Sequence, residues 1–203
     1  MNVKEYLDSI GSKYSRVFIL YSSTAVTAPV FKCKSLATTG GRMDVVARTL
    51  TYAICDVRPC RQDTLFIAHL EGPPRPPRQL FFDGDLLEEP LSEGRVCRLL
   101  LSGLSEDKGG SLGFAELVGI LMGKASVFTM HERGLDIGDV EWRAVAKKPL
   151  AFILGDHRGF PPYIEGFLLR RTQSISIGPT PYLASHVAAY VNEFIDRARL
   201  AWA

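Results

Sequence analysis

The chain has 203 residues, 46% of them hydrophobic, which is enough to build a packed core, so we expect residues 1–203 to form a single domain. The longest apolar runs are too short to span a bilayer, and the charged amino-terminal segment lacks the apolar stretch of a secretory signal. These features argue against a membrane or exported protein and favour a cytoplasmic one, and the net charge of +2 is too small to indicate a nucleic-acid binder by itself.

Two strands and a helix are predicted in the first third of the chain. Residues 16–21 (RVFILY) form a short apolar run that is typical of a buried strand in a parallel sheet. From Met43 the apolar residues recur at helical spacing, which predicts an amphipathic helix that Pro59 ends. Residues 64–70 (TLFIAHL) predict the second strand.

Residues 71–91 are predicted to be a small insertion of hairpin and loop. The segment EGPPRPPR can neither continue a ladder nor form a helix. After it, QLFF and DLLEEP flank Asp83-Gly84, a pair that is typical of a hairpin turn. Ser92 is predicted to cap a helix that reaches about Leu104.

The rest of the chain predicts an α/β alternation after a glycine-rich surface loop at 106–113. The predicted elements are a helix at 114–122, strands at 126–130, 150–154 and 174–177, and a final helix that extends to about residue 200. That last helix carries a strong apolar stripe, which we expect to pack on the sheet, to form a dimer seam, or both. The pattern predicts a mostly parallel sheet.

The four cysteines include no C-x-x-C pair, and no histidine lies at zinc-ligand spacing from any of them. We therefore expect neither disulfides nor a metal site, and Cys55 is interpreted as a small buried hydrophobe. No nucleophile motif such as G-x-S-x-G accompanies the histidines, so a hydrolase triad is not supported.

Three glycine-containing segments follow predicted strands, at 130–134, 155–159 and 177–182. Open α/β sheets bind ligands at the carboxyl ends of their strands, although each segment also fits a simple turn. None of the three matches the phosphate-binding glycine motifs, which argues against a nucleotide polyphosphate. Such loops can instead hold the adenine and ribose of S-adenosylmethionine through backbone groups and apolar side chains.

A diglycine turn at 39–44 (TGGRMD) delivers Arg42 and Asp44 to the start of a helix. An aspartate in the first helical turn compensates the helix dipole, and a contact with Arg48 is a second structural explanation. Taken alone, these explanations outweigh a catalytic role.

Four arginine pairs suggest a basic face, although each pair taken singly fits a solvated surface. The pairs are Arg58 with Arg61, Arg75 with Arg78, Arg95 with Arg98, and Arg170 with Arg171.

Read together, the segments GGRMDVVARTL, SEGRVCRLL, AFILGDHRGF and SIGPTPYLASH resemble the archaeal tRNA pseudouridine N1-methyltransferase family, and the similarity spans nearly the whole chain. That family belongs to the SPOUT methyltransferases. The resemblance implies an α/β fold with helices on both faces of the sheet and a trefoil knot at the carboxyl end. It also implies S-adenosylmethionine as cofactor, a homodimer, and tRNA rather than DNA as partner.

The resemblance also implies a set of cofactor-binding residues around the glycine loops. They are Met130, Leu154, Gly155, Ile177, Gly178, Pro179, Thr180, Pro181, Tyr182 and Val187. The family usually has leucine near Met130 and cysteine in place of Val187, so no thiol can act at that last position.

The expected reaction is methylation of N1 of a pseudouridine in the tRNA T-loop, at position 54. N1 carries a proton, so a carboxylate beside it would assist. We therefore expect Asp44 to contact the N1–H and Arg42 to orient the base or a flanking phosphate. The alternatives are a ribosomal-RNA pseudouridine N1-methyltransferase and a non-catalytic RNA-binding or assembly factor of the same fold.

Overall fold

The computed structural model describes residues 2–87, 91–105 and 109–202, with side chains described up to residue 198 in the last helix. The strands of this part are β1 (Arg16–Ser22), β2 (Thr64–Leu70), β3 (Arg78–Asp83), β4 (Ser126–Asp136), β5 (Leu150–Gly155) and β6 (Gln173–Ser176). They form one sheet in the order β3-β2-β1-β5-β4-β6. All neighbouring strands run parallel except β3, which is antiparallel to β2.

Helices cover both faces of this sheet, so the predicted α/β class is confirmed. The helices are α1 (Val3–Asp8), α2 (Leu36–Thr39), α3 (Met43–Ile54), α4 (Glu93–Ser105), α5 (Phe114–Lys124), α6 (Trp142–Val145), α7 (Pro162–Arg171) and α8 (Ala184–Trp202). One core joins the sheet to α3, α4, α6 and α8, and the other joins it to α1, α5 and α7. None of the helices in the described ranges combines the length and apolar character of a membrane span.

Side chains of the central strand β1 pack into both cores. Val17, Ile19 and Tyr21 point into one, and Phe18 and Leu20 point into the other. All five side chains are buried. A parallel strand covered on both faces needs apolar residues at every position, which explains the unbroken apolar run in the sequence.

The apolar stripe of α8 is buried within the chain. Ala188, Val191 and Ile195 are fully buried in the core that also contains the apolar face of α3. Asn192 donates hydrogen bonds to the carbonyl oxygens of Tyr52 and Ala53 at 3.1 and 3.0 Å. These two carbonyls lie in the last turn of α3, where helical partners are missing, so Asn192 ties the carboxyl end of α3 to the middle of α8.

The predicted hairpin turn at Asp83-Gly84 is wrong. Residues Gly84–Leu86 form a short 3-10 helix, and the strand before them pairs with β2. A Cβ on Gly84 would lie 2.3 Å from the carbonyl oxygen of Arg61, so this glycine is required for close packing and not for a hairpin. Residues 88–90 of the expected second strand lie outside the described residues.

The prediction that the cysteines form no disulfides is also wrong. Cys33 pairs with Cys97, and Cys55 pairs with Cys60. The spacing of cysteines along the sequence reveals only local metal and redox motifs. Cys33 and Cys97 are 64 positions apart, and only folding brings their Cα atoms to 5.6 Å. The first disulfide anchors the segment that leads to Arg42 and Asp44 onto α4.

Candidate active site

A cleft of about 610 Å³ opens at the carboxyl ends of β4, β5 and β6. Its volume lies within the range of roughly 300–1,000 Å³ that is typical of small-molecule sites. The loops after β5 and β6, the first turn of α8 and part of α3 line it. This is the edge at which parallel sheets bind their ligands.

The loop after β5 is a tight turn built on glycine. The Gly159 N–H donates to the Asp156 carbonyl oxygen at 3.0 Å, and Gly159 has a φ of +70°. A Cβ on Gly155 would lie 2.8 Å from the Gly159 carbonyl carbon. Any larger residue at Gly155 would therefore push the turn open, and the backbone of both glycines borders the cleft.

The loop after β6 is held by a single hydroxyl group. Ser176 Oγ donates to the Gly178 carbonyl oxygen at 2.6 Å and accepts from the Gly178 N–H at 3.0 Å. Of the residues predicted here, Ile177, Gly178, Thr180, Pro181 and Tyr182 line the cleft. Pro179 is exposed and is not among the lining residues.

The predicted loop at 130–134 is instead an irregular stretch of β4. The strand pairs with β6 up to Met130 and again from Leu135, with a register shift between the two. A Cβ on Gly134 would lie 2.6 Å from backbone atoms of Ile175, so the glycine permits this close approach. Glycine after the predicted strand suggested a loop, but residues 131–134 form a bulge of β4, and residues 131–133 line the cleft beside Met130.

A polar wall of the cleft was not predicted, because α7 was not recognised in the sequence. Glu165 of α7 lies 2.9 Å from His131 Nε2. His131 Nδ1 accepts the backbone N–H of Arg133 at 3.1 Å, so the neutral ring carries its proton on Nε2 and donates to Glu165. Proline at the first turn and Arg170 and Arg171 in the last turn were the available signals for α7.

Arg42 and Asp44 form a tight pair at the rim of the cleft. Arg42 Nε and Nη2 donate to the two Asp44 oxygens at 2.9 and 3.1 Å, and Arg48 adds a third bond at 2.7 Å. Partial burial raises the pKa of Asp44, but the hydrogen bonds and charges of the two arginines outweigh it and leave the pKa lowered. Neither member of the pair lines the cleft, whereas Val45 and Arg48 of the same helix do.

The predicted arginine pairs differ in their surroundings. Arg61 is mostly buried and pairs with Asp56 and Asp196 at 2.7 and 2.6 Å, so its role is structural. Arg95 and Arg98 border a second, shallow pocket with Ser92. An RNA-contacting role for the exposed arginines remains a prediction.

The sequence of residues 15–200 matches a family model described as "Putative SAM-dependent RNA methyltransferase". The chain belongs to this family. Among its relatives are proteins named tRNA (pseudouridine(54)-N(1))-methyltransferase. The protein of Thermococcus gammatolerans is 32% identical, over 89% of this chain and 96% of its own. That of Thermococcus kodakarensis is 33% identical, over 89% and 98% respectively.

The fold of this methyltransferase is also similar to a solved structure. The crystal structure of Archaeoglobus fulgidus Nep1 bound to S-adenosylhomocysteine superposes with a TM-score of 0.66. It covers 93% of this chain and 99% of that one at 16% identity. At this identity the likeness establishes the α/β fold alone.

The cleft of this methyltransferase fits S-adenosylmethionine chemically. Leu154, Ile177 and Val187 supply an apolar lining, and the glycine loops expose backbone groups that can pair with an adenine edge. The carboxylates of Glu132 and Glu165 can accept hydrogen bonds from hydroxyl or ammonium groups. Val187, where the family usually has cysteine, keeps an apolar contact at the buried start of α8.

Proposed function

We propose that this protein transfers a methyl group from S-adenosylmethionine to N1 of the pseudouridine at position 54 in the tRNA T-loop, which gives N1-methylpseudouridine. One geometric observation carries the proposal. The glycine loops after β5 and β6 share a single cleft with α3, the helix whose first turn holds the Arg42–Asp44 pair. The names of the archaeal relatives support the choice of tRNA and of this nucleotide.

The chemistry divides between the cleft and its rim. S-adenosylmethionine, when bound, supplies an electrophilic methyl group on a positively charged sulfur. Asp44 accepts a hydrogen bond from the pseudouridine N1–H and takes the proton as the methyl group is transferred. The lowered pKa of Asp44 keeps its carboxylate ionised at neutral pH but makes it a weak base. Its first contribution is therefore to orient the base, together with Arg42.

The methyl donor is proposed to bind between the two glycine loops. Its contacts would come from Met130, Leu154, Gly155, Ile177, Gly178, Thr180, Pro181, Tyr182 and Val187, all of which line the cleft. Pro179 would contribute only by shaping the loop. A base in the folded T-loop must leave its stack to reach this cleft, and exposed arginines would hold the backbone meanwhile.

The remaining proposals concern assembly and location. We propose that residues 1–203 form one domain, that the chain is knotted near residues 155–182, and that the protein is a cytoplasmic homodimer. Tyr182, Leu183 and Tyr190 support the homodimer because these large apolar side chains are 44–51% exposed around the cleft and α8. Sedimentation equilibrium measures the mass of the assembly directly.

The test is methyl transfer from labelled S-adenosylmethionine to tRNA transcripts that carry either uridine or pseudouridine at position 54. The modified nucleotide is then identified by mass spectrometry. We expect label only in the pseudouridine transcript, as N1-methylpseudouridine. Label on a ribosomal-RNA fragment in place of tRNA would refute the substrate, and measurable cofactor binding without any transfer would refute the catalytic function.

A further inference from the structure

Asp156, the residue after β5, has a side chain that is 0% exposed although the residue lines the cleft. Its Oδ2 accepts hydrogen bonds from the backbone N–H and the hydroxyl of Ser23 at 2.7 and 2.8 Å. Its Oδ1 accepts the Arg158 N–H at 2.8 Å. No lysine or arginine side chain pairs with it among the residues described here, and the imidazole Nδ1 of His157 lies 3.7 Å from its Oδ1. These three donors therefore hold the buried carboxylate in place.

The bonds between Asp156 and Ser23 join the ends of two neighbouring parallel strands whose following connections leave to opposite faces of the sheet. Ser23 follows β1, and Asp156 follows the neighbouring strand β5. After β1 the chain continues to α3 on one face, and after β5 it continues to α7 on the other face. Loops that diverge in this way leave a crevice between them. Asp156 is the side chain that bridges it.

The loop after β1 also contacts the diglycine turn directly. Thr24 Oγ1 donates to the Gly41 carbonyl oxygen at 2.7 Å, and the Val26 N–H donates to the Gly40 carbonyl oxygen at 3.2 Å. A Cβ on Gly41 would lie only 2.0 Å from the Thr24 carbonyl oxygen. The backbone of the loop after β1 packs directly against the backbone of the diglycine turn. A shift of that loop must therefore move the turn.

The diglycine turn that precedes Arg42 sets the conformation of this residue. Arg42 has a φ of +71°, a left-handed conformation that is unfavourable for a residue other than glycine. Such a conformation persists only when its surroundings over-determine it. Here the surroundings are the Thr24–Gly41 contact on one side and the two bonds from Arg42 to Asp44 on the other.

We propose that Asp156 is a positioning residue, which holds the Ser23–Thr24 loop across the crevice and thereby aims the Arg42–Asp44 pair at the substrate base. The proposal rests on the proposed function, in which that pair meets the pseudouridine. Because Asp156 also borders the cleft, the walls of the methyl-donor site and the substrate-facing pair form one connected unit.

A first test needs no catalysis. The Asp44 carboxyl carbon is titrated by 13C NMR in the wild-type protein and in Thr24→Val and Asp156→Asn variants. Arg42 and Arg48 are the charged groups bonded to Asp44. Loosening Arg42 should move the pKa of Asp44 upward in Thr24→Val, which changes no charge. In Asp156→Asn the same upward shift is opposed by the loss of the negative charge of Asp156, which also acts on Arg42.

Thr51→Val is the matched control, because it removes a hydroxyl group that donates to the Ala47 carbonyl oxygen at 3.0 Å within α3. It should leave the titration of Asp44 unchanged. Thr24→Val keeps the test decisive if Asp156→Asn does not fold, because valine preserves the shape of threonine. Folded Thr24→Val and Asp156→Asn proteins that titrate like the wild type would overturn the proposal.

A second test separates positioning from cofactor binding. Thr24 does not line the cleft, so Thr24→Val should keep the wild-type dissociation constant for S-adenosylhomocysteine in calorimetry. Its kcat on pseudouridine-containing tRNA should fall by roughly tenfold to a hundredfold. Unchanged kcat would refute the positioning role. If the wild-type protein methylates no pseudouridine, the proposed function fails, while a shifted Asp44 titration would still support positioning.

Discussion

Reduction of the Cys33–Cys97 disulfide should destabilise the protein more than reduction of Cys55–Cys60. The two bonds close loops of very different length, because their cysteines are 64 and 5 positions apart. A cross-link stabilises the fold chiefly by restricting the unfolded chain, and its effect grows with the logarithm of loop length. This relation predicts about 4 kcal/mol for the long loop and about 2 kcal/mol for the short one.

The assay uses two variants that each retain one disulfide. One carries Cys55→Ala and Cys60→Ala, and the other carries Cys33→Ala and Cys97→Ala. Each variant is unfolded in urea with and without a reductant, and the two free energies of unfolding are compared within that variant. Because the side chains are identical in both conditions, the difference reports the covalent bond alone. The variant that retains Cys33–Cys97 should lose about 2 kcal/mol more on reduction.

An equal loss in the two variants would refute this reasoning, provided that both are folded before reduction. Such a result would mean that the unfolded chain is already constrained between Cys33 and Cys97, or that strain in the native state offsets the extra restriction that the longer loop places on the unfolded chain. Reduction should also increase hydrogen exchange in the segment between Cys33 and Arg42, since Cys97 belongs to α4 and anchors this segment.

Three further predictions concern the cleft and the core. Replacing Asp44 by asparagine should lower kcat on pseudouridine-containing tRNA by about 10²–10⁴ while S-adenosylhomocysteine binds as before in calorimetry. Replacing Gly155 by alanine should weaken S-adenosylhomocysteine binding at least about tenfold, because the added Cβ would lie 2.8 Å from the Gly159 backbone. Burial lowers the pKa of His69 against the opposing effect of Glu71, so the unfolded state binds more protons below the ordinary pKa near 6.5. The free energy of unfolding, measured in urea, should therefore fall as the pH drops from about 6.5, and replacing His69 by phenylalanine should flatten that dependence.

Each of these predictions has a control elsewhere in the chain. Asp85→Asn removes a 60% exposed carboxylate that pairs with Lys13, and it should leave kcat unchanged. Gly119→Ala, in α5, adds a Cβ with no heavy atom within 4 Å and should leave cofactor affinity unchanged. The control for the His69 variant is the replacement of the exposed His186 by glutamine. Wild-type activity in Asp44→Asn, wild-type affinity in Gly155→Ala, or unaltered pH dependence without His69 would contradict the respective prediction.

Local sequence patterns determined most of the regular structure. The apolar run of β1, the helical spacing of α3 and the capped start of α4 each reflect a constraint that acts over a few residues. Glycine at the ends of β5 and β6 marked the edge where the cleft lies, because close backbone turns need glycine locally. The short helices α1 and α2 were not predicted, since helices of four to six residues carry too little periodicity to be recognised.

The tertiary structure alone decided the contacts between distant segments. Ser23 and Asp156 are 133 positions apart, and their hydrogen bond exists because β1 and β5 become neighbours in the sheet. The disulfide between Cys33 and Cys97 and the pairing of β3 with β2 likewise follow from packing and not from local propensity. The sequence determines which side chains can donate or accept hydrogen bonds. Which donors surround a buried carboxylate depends on the strand order, because only folding sets the distances between the carboxylate and its donors.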